Sequence, residues 1–396
     1  MTKSKQPQYR FDGFEGEWEE KELGDIVQIT MGQSPSSQNY TTNPSDYILV
    51  QGNADIKNGY VFPRVWTTQI TKQADKGDII LSVRAPVGDV GKTNYHVIIG
   101  RGVAAIKGNE FIFQILKYLK EIGYWKRIST GSTFDNISSS DIKYAKIQIP
   151  SLPEQEAIGE LFQTVDQLIQ LQDQKLATLK EQKQTFLRKM FPAQGQKVPE
   201  IRLQGFKGEW EENKLGEVSP LRGGYAFESD KFQSDGIKII RISNILSSGI
   251  IGGEFAHYHQ INNDDKYLLT GGSALIAMSG ATTGKVSILN TEEKYYQNQR
   301  VGYFMDLNKI HYNFIIAFLK SLNFNKQIQS VLVAGAQPNI SSKEIDNFQI
   351  LYPRHNVEQE AIGNFFQTLD QQIAQSEEKL TELKALKQTL LNRLFV

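Results

Sequence analysis

The sequence predicts an α/β (α+β) chain made of two copies of one domain plan, each followed by a long α-helix, the two helices pairing as an antiparallel coiled coil with pseudo-twofold symmetry. Three observations predict it. Distinctive segments recur in the same order: GFEGEWEEKELGD (13–25) returns as GFKGEWEENKLGE (205–217), NISSSDI (136–142) as NISSKEI (339–345), and EQEAIG (154–159) unchanged at 358–363. Between them, each copy alternates β-branched runs with Gly/Asn/Asp-rich turns and contains one helical stretch. Each copy then closes on a heptad pattern.

Taken in order, the first domain is expected over 1–152, the first long helix over 153–191, a linker over 192–200, the second domain over 201–355 and the second long helix over 356–396. The offset between copies is 192 at Gly13/Gly205, 203 at Asn136/Asn339 and 204 across the helices, so the second copy is longer in its middle. The middles themselves hardly match: GQSPSSQNYTTNPSDY (32–47) has no counterpart in RGGYAFESDKFQSDG (222–236). Strands are expected at YILV (47–50), DIILSV (78–83) and HVIIG (96–100), then at IKIIRI (237–242), ALIAMS (274–279) and VGYFMDL (301–307). One helix per copy is expected at 109–123 and 311–323, and a strand-like run ends at Pro150 and again at Pro353.

In the long helices, apolar residues step by fours and threes through Ile158, Phe162, Val165, Ile169, Leu176, Leu179, Phe186 and Met190, and again through Ile362, Phe366, Leu369, Ile373, Leu380, Leu383, Leu390 and Leu394. Polar residues interrupt the seam at matched places, Gln172 with Ser376 and Lys183 with Lys387. In an antiparallel pair, Lys183 faces Leu369 and Lys387 faces Val165, where such residues can fix the register. Leu161, Leu168 and Leu187 lie on the flanks of the seam as docking surface. A helix of about 37 residues is roughly 55 Å long at 1.5 Å per residue, which makes the paired helices a spacer between two heads.

At 396 residues the chain exceeds one ordinary domain. It contains no cysteine, which excludes disulfides and thiolate metal sites. MTKSKQPQYR carries no apolar core of the kind a secretory signal needs, and no apolar run is long enough to span a bilayer, so a soluble, cytoplasmic protein without membrane contact is expected. Lys plus Arg equals Asp plus Glu at 44 each. Nucleic-acid binding then has to rest on local patches or on partner subunits.

The twin GEWEEKELGD/GEWEENKLGE segments, the NISS closings and the EQEAIG helices, in their duplicated order, resemble the specificity (S) subunits of type I restriction–modification systems across essentially the whole chain. The resemblance implies two target recognition domains, each reading one half of a split double-stranded DNA sequence, with the helices setting the gap. It further implies a non-catalytic chain that positions two methyltransferase (M) subunits and is joined by restriction/translocation (R) subunits. S-adenosylmethionine would serve the methylating subunits and ATP with Mg the restriction subunits, none of them bound by this chain. On that reading EQEAIG and the identical Phe-Gln-Thr at 162–164 and 366–368 form docking surfaces for two partner copies.

The residues themselves carry no catalytic constellation. GATTGK (280–285) is spaced wrongly for a phosphate-binding loop and is followed by Val286, so it reads, like VGDVGK (87–92), as a strand-connecting turn. His257 and His259 lack the partners of a metal site. For DNA contact the candidates are polar and basic residues in loops at strand ends. In the first copy they are Gln33, Ser34, Ser36, Arg84, Lys92, Arg101, Ser132 and Thr133; in the second, Arg222, Tyr225, Arg241, Asn244, Ser279, Thr282, Lys285, Arg300, Gln337 and Asn339. Arginine pairs bidentately with guanine and Asn/Gln with adenine, whereas Ser, Thr and Lys more often hold phosphates. The alternative is a two-headed coiled-coil scaffold for a non-DNA ligand, which the balanced charge leaves open.

Overall fold

A computed structural model describes residues 6–130, 135–246, 248–334 and 339–395. The chain divides into two compact units, Met1–Gln174 with Glu378–Val396, and Lys175–Glu377. Each unit therefore holds one domain, the beginning of the long helix that follows it and the end of the other long helix.

In the first unit a six-stranded sheet runs in the order Gln28–Met31, Val103–Lys107, Ile79–Ser82, Val90–Lys92, Tyr60–Val61, Ile56–Lys57. A five-stranded sheet runs Tyr40–Thr41, Val65–Thr67, Tyr47–Val50, Val97–Ile99, Gln73–Ala74. The strand Ile79–Ser82 is buried on both faces because period-2 alternation sends its side chains into two cores. Ile79 and Leu81 join Ala104, Ile106 and the helix Glu110–Glu121, while Ile80 joins Val50, Ile99, Val103 and Ala105 between the sheets. Asn109 caps that helix by accepting from the Ile112 amide at 3.0 Å.

The second unit repeats the plan with two four-stranded sheets. One runs Leu221–Gly223, Val301–Phe304, Ala274–Ala277, Val286–Ile288, the other Ala256–Tyr258, Ile237–Ile240, Tyr295–Gln297, Leu268–Leu269. Ala274 and Ile276 face a helix-lined core, Leu275 and Ala277 the space between the sheets. A helix absent from the sequence reading, Leu322–Ala334, follows the expected Tyr312–Lys320. The turn at 280–285 connects Ala274–Ala277 to Val286–Ile288 as expected, whereas of 87–92 only 87–89 precedes the strand: Val90–Lys92 is itself a strand, paired with Ile79–Ser82.

The repeated segments build the frame. Glu19–Glu22, from GEWEEKE, pairs antiparallel with Lys146–Ile149, the run that ends at Pro150; Glu211–Lys214 pairs in the same way with Gln349–Tyr352 before Pro353. NISS closes on a short helix whose Ser138 or Ser341 forms a capping box with Asp141 or Glu344.

The long helices span Leu152–Lys189 and Asn356–Leu394. Inside each unit their segments run antiparallel. In the first, Lys387 Nζ lies 2.6 Å from Asp166 and Lys384 Nζ lies 3.9 Å from Asp173; in the second, Lys183 lies 2.5 Å from Asp370 and Lys180 lies 2.7 Å from Glu377. The seam lysines thus turn to carboxylates one residue along from the Val165 and Leu369 they were expected to face. Lys117 and Lys320, from the domain helices, bind the same two carboxylates at 3.3 and 2.6 Å.

EQEAIG is an internal clamp, and this corrects the expectation that it faces a partner. Glu154 is 1% exposed and receives two bonds from Arg10, at 2.8 and 2.7 Å, and one from Trp18 Nε1 at 3.3 Å. Arg10 also donates to the Gly16 and Glu15 carbonyls, which ties down the segment leading into GEWEE. Gln155 donates to the Pro150 carbonyl at 2.9 Å and accepts from Asn109 at 3.0 Å. Ile158 and Phe162 enter the core. The second copy repeats the clamp through Arg202, Glu358 and Gln359. Leu187 also belongs to the core, whereas Leu161 is half-buried and Leu168 exposed.

Candidate nucleic-acid interface

Both units place a loop cluster at the same point of the frame, where the chain leaves the doubly buried strand. In the first unit the Val83 amide donates to the Gly102 carbonyl and the Ile137 amide to the Val83 carbonyl, each at 2.9 Å, and Arg84 bridges Asn136. In the second, the Met278 amide donates to Arg300 at 3.0 Å, the Ile340 amide donates to Met278 at 2.9 Å, and Ser279 bridges Asn339. Backbone hydrogen bonds from three chain segments hold each cluster, so its side chains stand on a rigid base.

Each cluster opens into a depression. The first, of about 590 Å³, brings together Ser34, Arg84 and Arg101 with Tyr40, Gln51 and Asn53. The second, of about 360 Å³, brings together Arg300 and Asn339 with Gln299 and Ser341. Among the described residues, the side chains of Arg84, Arg101 and Arg300 have no hydrogen bond or ion pair within the protein, and all three are exposed. The loop serine Ser34 accepts from the Arg101 amide at 3.1 Å and holds that turn in place. Tyr40, Gln51 and Asn53 were not singled out from the sequence; the turn QGN after YILV was the available signal.

The other candidates are distributed differently. Gln33 and Ser36 are exposed on the loop beside the first depression, where the Gln33 carbonyl accepts from Thr71 and the Ser36 amide donates to Gln69. Ser279 sits at the rim of the second cluster through its bridge to Asn339. Lys285 is exposed in the 280–285 turn, and Thr282 there donates to the Ile242 carbonyl at 3.1 Å. Tyr225 packs edge-on to Phe227 at 4.9 Å. Ser132, Thr133 and Gln337 lie outside the described residues.

Four candidates are engaged internally. Asn244 is 1% exposed, with its amide donating to the Gly252 and Glu254 carbonyls and its oxygen accepting from the Arg241 amide, so it caps a loop and has nothing left for a base. Lys92 pairs with Glu110 and lies 5.0 Å from the Phe113 ring, turned toward the domain helix. Arg222 donates to Gln297 and stacks on Tyr303 at 4.7 Å, and burial lowers its pKa. Arg241 donates to the Glu254 carbonyl at 3.3 Å and lies over Phe232. Lys92, Arg222 and Arg241 are taken by partners 13 to 75 residues away, which only the fold reveals, whereas Asn244 is held within its own loop by groups 3 to 10 residues away.

The comparison with known proteins bears on this duplicated arrangement. A family model for the type I restriction modification DNA specificity domain matches the chain twice, over residues 15–181 and 207–385. The chain belongs to this specificity family. A putative type I restriction enzyme MjaX specificity subunit of Methanocaldococcus jannaschii is 36% identical over 180 residues, which cover 43% of this chain and 42% of that relative. The chain therefore aligns with less than half the length of that relative. The MjaVIII specificity subunit of the same organism is 23% identical over 394 residues, covering 96% of this chain and 92% of its own. Among solved structures, the S subunit of a type I restriction–modification system from M. genitalium has the same fold, with TM-score 0.69, 18% identity and 99% of both chains covered. A chain from a structure on complex assembly and conformational transition of a type I system matches with TM-score 0.53, 19% identity and 95% and 97% coverage. Among the described residues of the present specificity-family chain, no group of three or more His, Cys, Asp or Glu is placed to hold a metal ion, and no helix is long and apolar enough to cross a membrane.

Proposed function

We propose that this chain is the DNA-reading specificity subunit of a type I restriction–modification complex, in which each domain reads one half of a bipartite, asymmetric double-stranded target at its loop cluster. One observation carries the reading. Two divergent loop clusters stand at the same point of a repeated frame, and they bear arginines that no partner among the described residues neutralises. The long helices set the gap between half-sites, and the chain positions two methylating subunits and the restriction/translocation subunits. Those subunits use S-adenosylmethionine and ATP with Mg; this chain supplies recognition without catalysis or a cofactor of its own. The boundaries 1–152, 153–191, 192–200, 201–355 and 356–396 describe its modules, working in the cytoplasm. Partner docking falls to exposed positions of the long helices, Gln163, Thr164, Leu168, Gln367 and Thr368, in place of the buried Glu154 and Glu358.

The test is to exchange residues 1–150 for the equivalent domain of another family member and map methylated sequences in cells carrying the partner subunits. One half-site should change, with the other and the gap retained. A change in both ends independent reading. The balanced count of 44 basic and 44 acidic residues favours a second reading, a two-headed scaffold for a non-DNA ligand. Duplex affinity that falls steeply with salt separates the two, because released counterions report phosphate contacts.

A further inference from the structure

We infer that Arg84 reads a guanine in the half-site of the first domain, and that Ser279 holds the equivalent position in the second domain, where it makes the two half-sites differ. The inference rests on the DNA-reading function proposed above. It comes from a comparison of the two clusters within their shared frame. Val83 and Met278 occupy one backbone position, each donating to the turn before the next strand and accepting from the NIS segment. The residue that follows bridges the asparagine of that segment in both units, Arg84 to Asn136 and Ser279 to Asn339. Arg84 and Ser279 are thus the same place with different side chains.

The adjoining turn carries an exposed arginine in both units, one place apart: Arg101 precedes Gly102, whose carbonyl accepts from Val83, whereas Arg300 itself holds the place of Gly102 and accepts from Met278, so the turn shares a positive charge and not one fixed side-chain position. What two readers share suits what every duplex shares, the phosphate backbone; what differs between them suits the bases. Arg84 also has the surroundings of a base reader. It lines a depression with Ser34, Gln51 and Asn53, and among the described residues no carboxylate lines that depression. Its guanidinium presents a planar fork that matches the two major-groove acceptors of guanine, O6 and N7. Serine is shorter, and its single hydroxyl accepts any base with a donor or acceptor.

The experiment maps methylated motifs and measures duplex affinity for the full chain with its native methylating partner, comparing wild type with Arg84→Ser and Arg84→Lys. Arg84→Ser should relax one guanine of one half-site, with preference for that base falling about 5- to 150-fold, while the other half-site and the gap stay unchanged. Arg84→Lys keeps the charge and should recover affinity without recovering the preference. Three results overturn the inference: an unaltered motif in Arg84→Ser, full base preference in Arg84→Lys, or a sequence-independent loss of affinity with a salt slope shallower by about one, the mark of a phosphate contact. Any of these leaves the DNA-reading function standing. That function fails as well if Arg84→Ser combined with Arg101→Ala and Arg300→Ala leaves duplex affinity and its salt dependence untouched.

Discussion

Two buried ionic arrangements decide how single residues contribute to this fold. The bond pairs Arg10–Glu154 and Arg202–Glu358 each sink a carboxylate to 1% exposure, a position tolerable only while the guanidinium answers both oxygens. Arg202→Ala should therefore cost about 3 kcal/mol in urea unfolding of the second unit, and adding Glu358→Gln should recover part of it. Recovery points to the stranded charge as the cause; an equal loss in the double variant points to packing. Lys117 makes a pH-dependent contribution. Burial, reinforced by nearby Lys387 and opposed by Asp166, pushes its pKa down to about 8 from 10.5. The unfolded chain then binds more protons than the native chain between about pH 8 and 10.5, so this group makes stability rise with pH across that window. Comparison of urea midpoints for wild type and Lys117→Met should show the wild type gaining on the variant from neutral pH to about pH 10. A constant difference removes Lys117 as the cause.

The glycine of EQEAIG shows how an element's position rests on one missing side chain. A Cβ at Gly159 meets Glu110 Cβ at 2.8 Å, whereas one at Gly363 meets Asn313 Cβ at 2.5 Å and its backbone carbon at 2.6 Å. Alanine gains about 1 kcal/mol of helix propensity at either site, against overpacking of about 1–3 kcal/mol. Glu110 Cβ moves only with its backbone, so both variants should destabilise their units, and Gly363→Ala more than Gly159→Ala because its Cβ also meets the Asn313 carbon and the Phe314 nitrogen of the backbone under 3.0 Å. Equal urea midpoints for the two variants contradict this account. Much at this level was legible in the sequence. YILV coincides with the strand Tyr47–Val50, and the heptad pattern lies within the long helices except at Met190, one residue past the end of the first. Recurrence of GEWEE and NISS marked the frame. What was not legible is what the frame touches: repetition shows that EQEAIG matters, but exposure decides whether it meets a partner or Arg10, and Arg10 stands 144 residues away. Extending the repeat upstream to Arg10 and Arg202, which share the 192 offset of Gly13 and Gly205, was the available clue. For the candidate site, polar loop composition found Arg84, Arg101, Arg300 and Asn339, which line the depressions. It could not separate them from Lys92, whose partner Glu110 lies on the domain helix, or from Asn244, whose side chain closes its own loop.

The duplication extends to how each domain is closed. In the second unit, Phe191 at the end of the first long helix packs on Phe366 at 6.1 Å, Phe314 at 5.7 Å and Trp210 at 6.2 Å. In the first unit Phe395, at the end of the second long helix, takes that place against Phe162 at 5.6 Å and Phe111 at 5.4 Å, with Trp18 beside Phe111. Just beyond, the Ile201 amide donates to the Lys189 carbonyl at 3.0 Å, and the Tyr9 amide donates to the Arg393 carbonyl at 3.0 Å. The first of these junctions is spanned by the covalent stretch PAQGQKVPE; the second forms without one. The aromatic and backbone contacts correspond, and the covalent stretch adds two of its own, the Trp210 amide donating to the Lys197 carbonyl at 2.8 Å and Asn323 to the Pro192 carbonyl at 2.7 Å. Residues 193–198 of that stretch are exposed, where a chain break costs little. A permuted chain that begins at Gly195, joins Phe395 to Tyr9 through a second copy of PAQGQKVPE and ends at Gln194 should therefore fold with a urea midpoint close to that of the parent. If the proposed function holds, it should also direct methylation to the same sequence. A break placed inside the helix Glu110–Glu121, whose apolar face is buried, should abolish folding and serves as the contrast. Should the chain opened at Gly195 aggregate while a chain carrying only the added linker stays folded, the two junctions are not equivalent, and the linker 192–200 holds the second unit together in a way that Tyr9 and Arg393 do not reproduce.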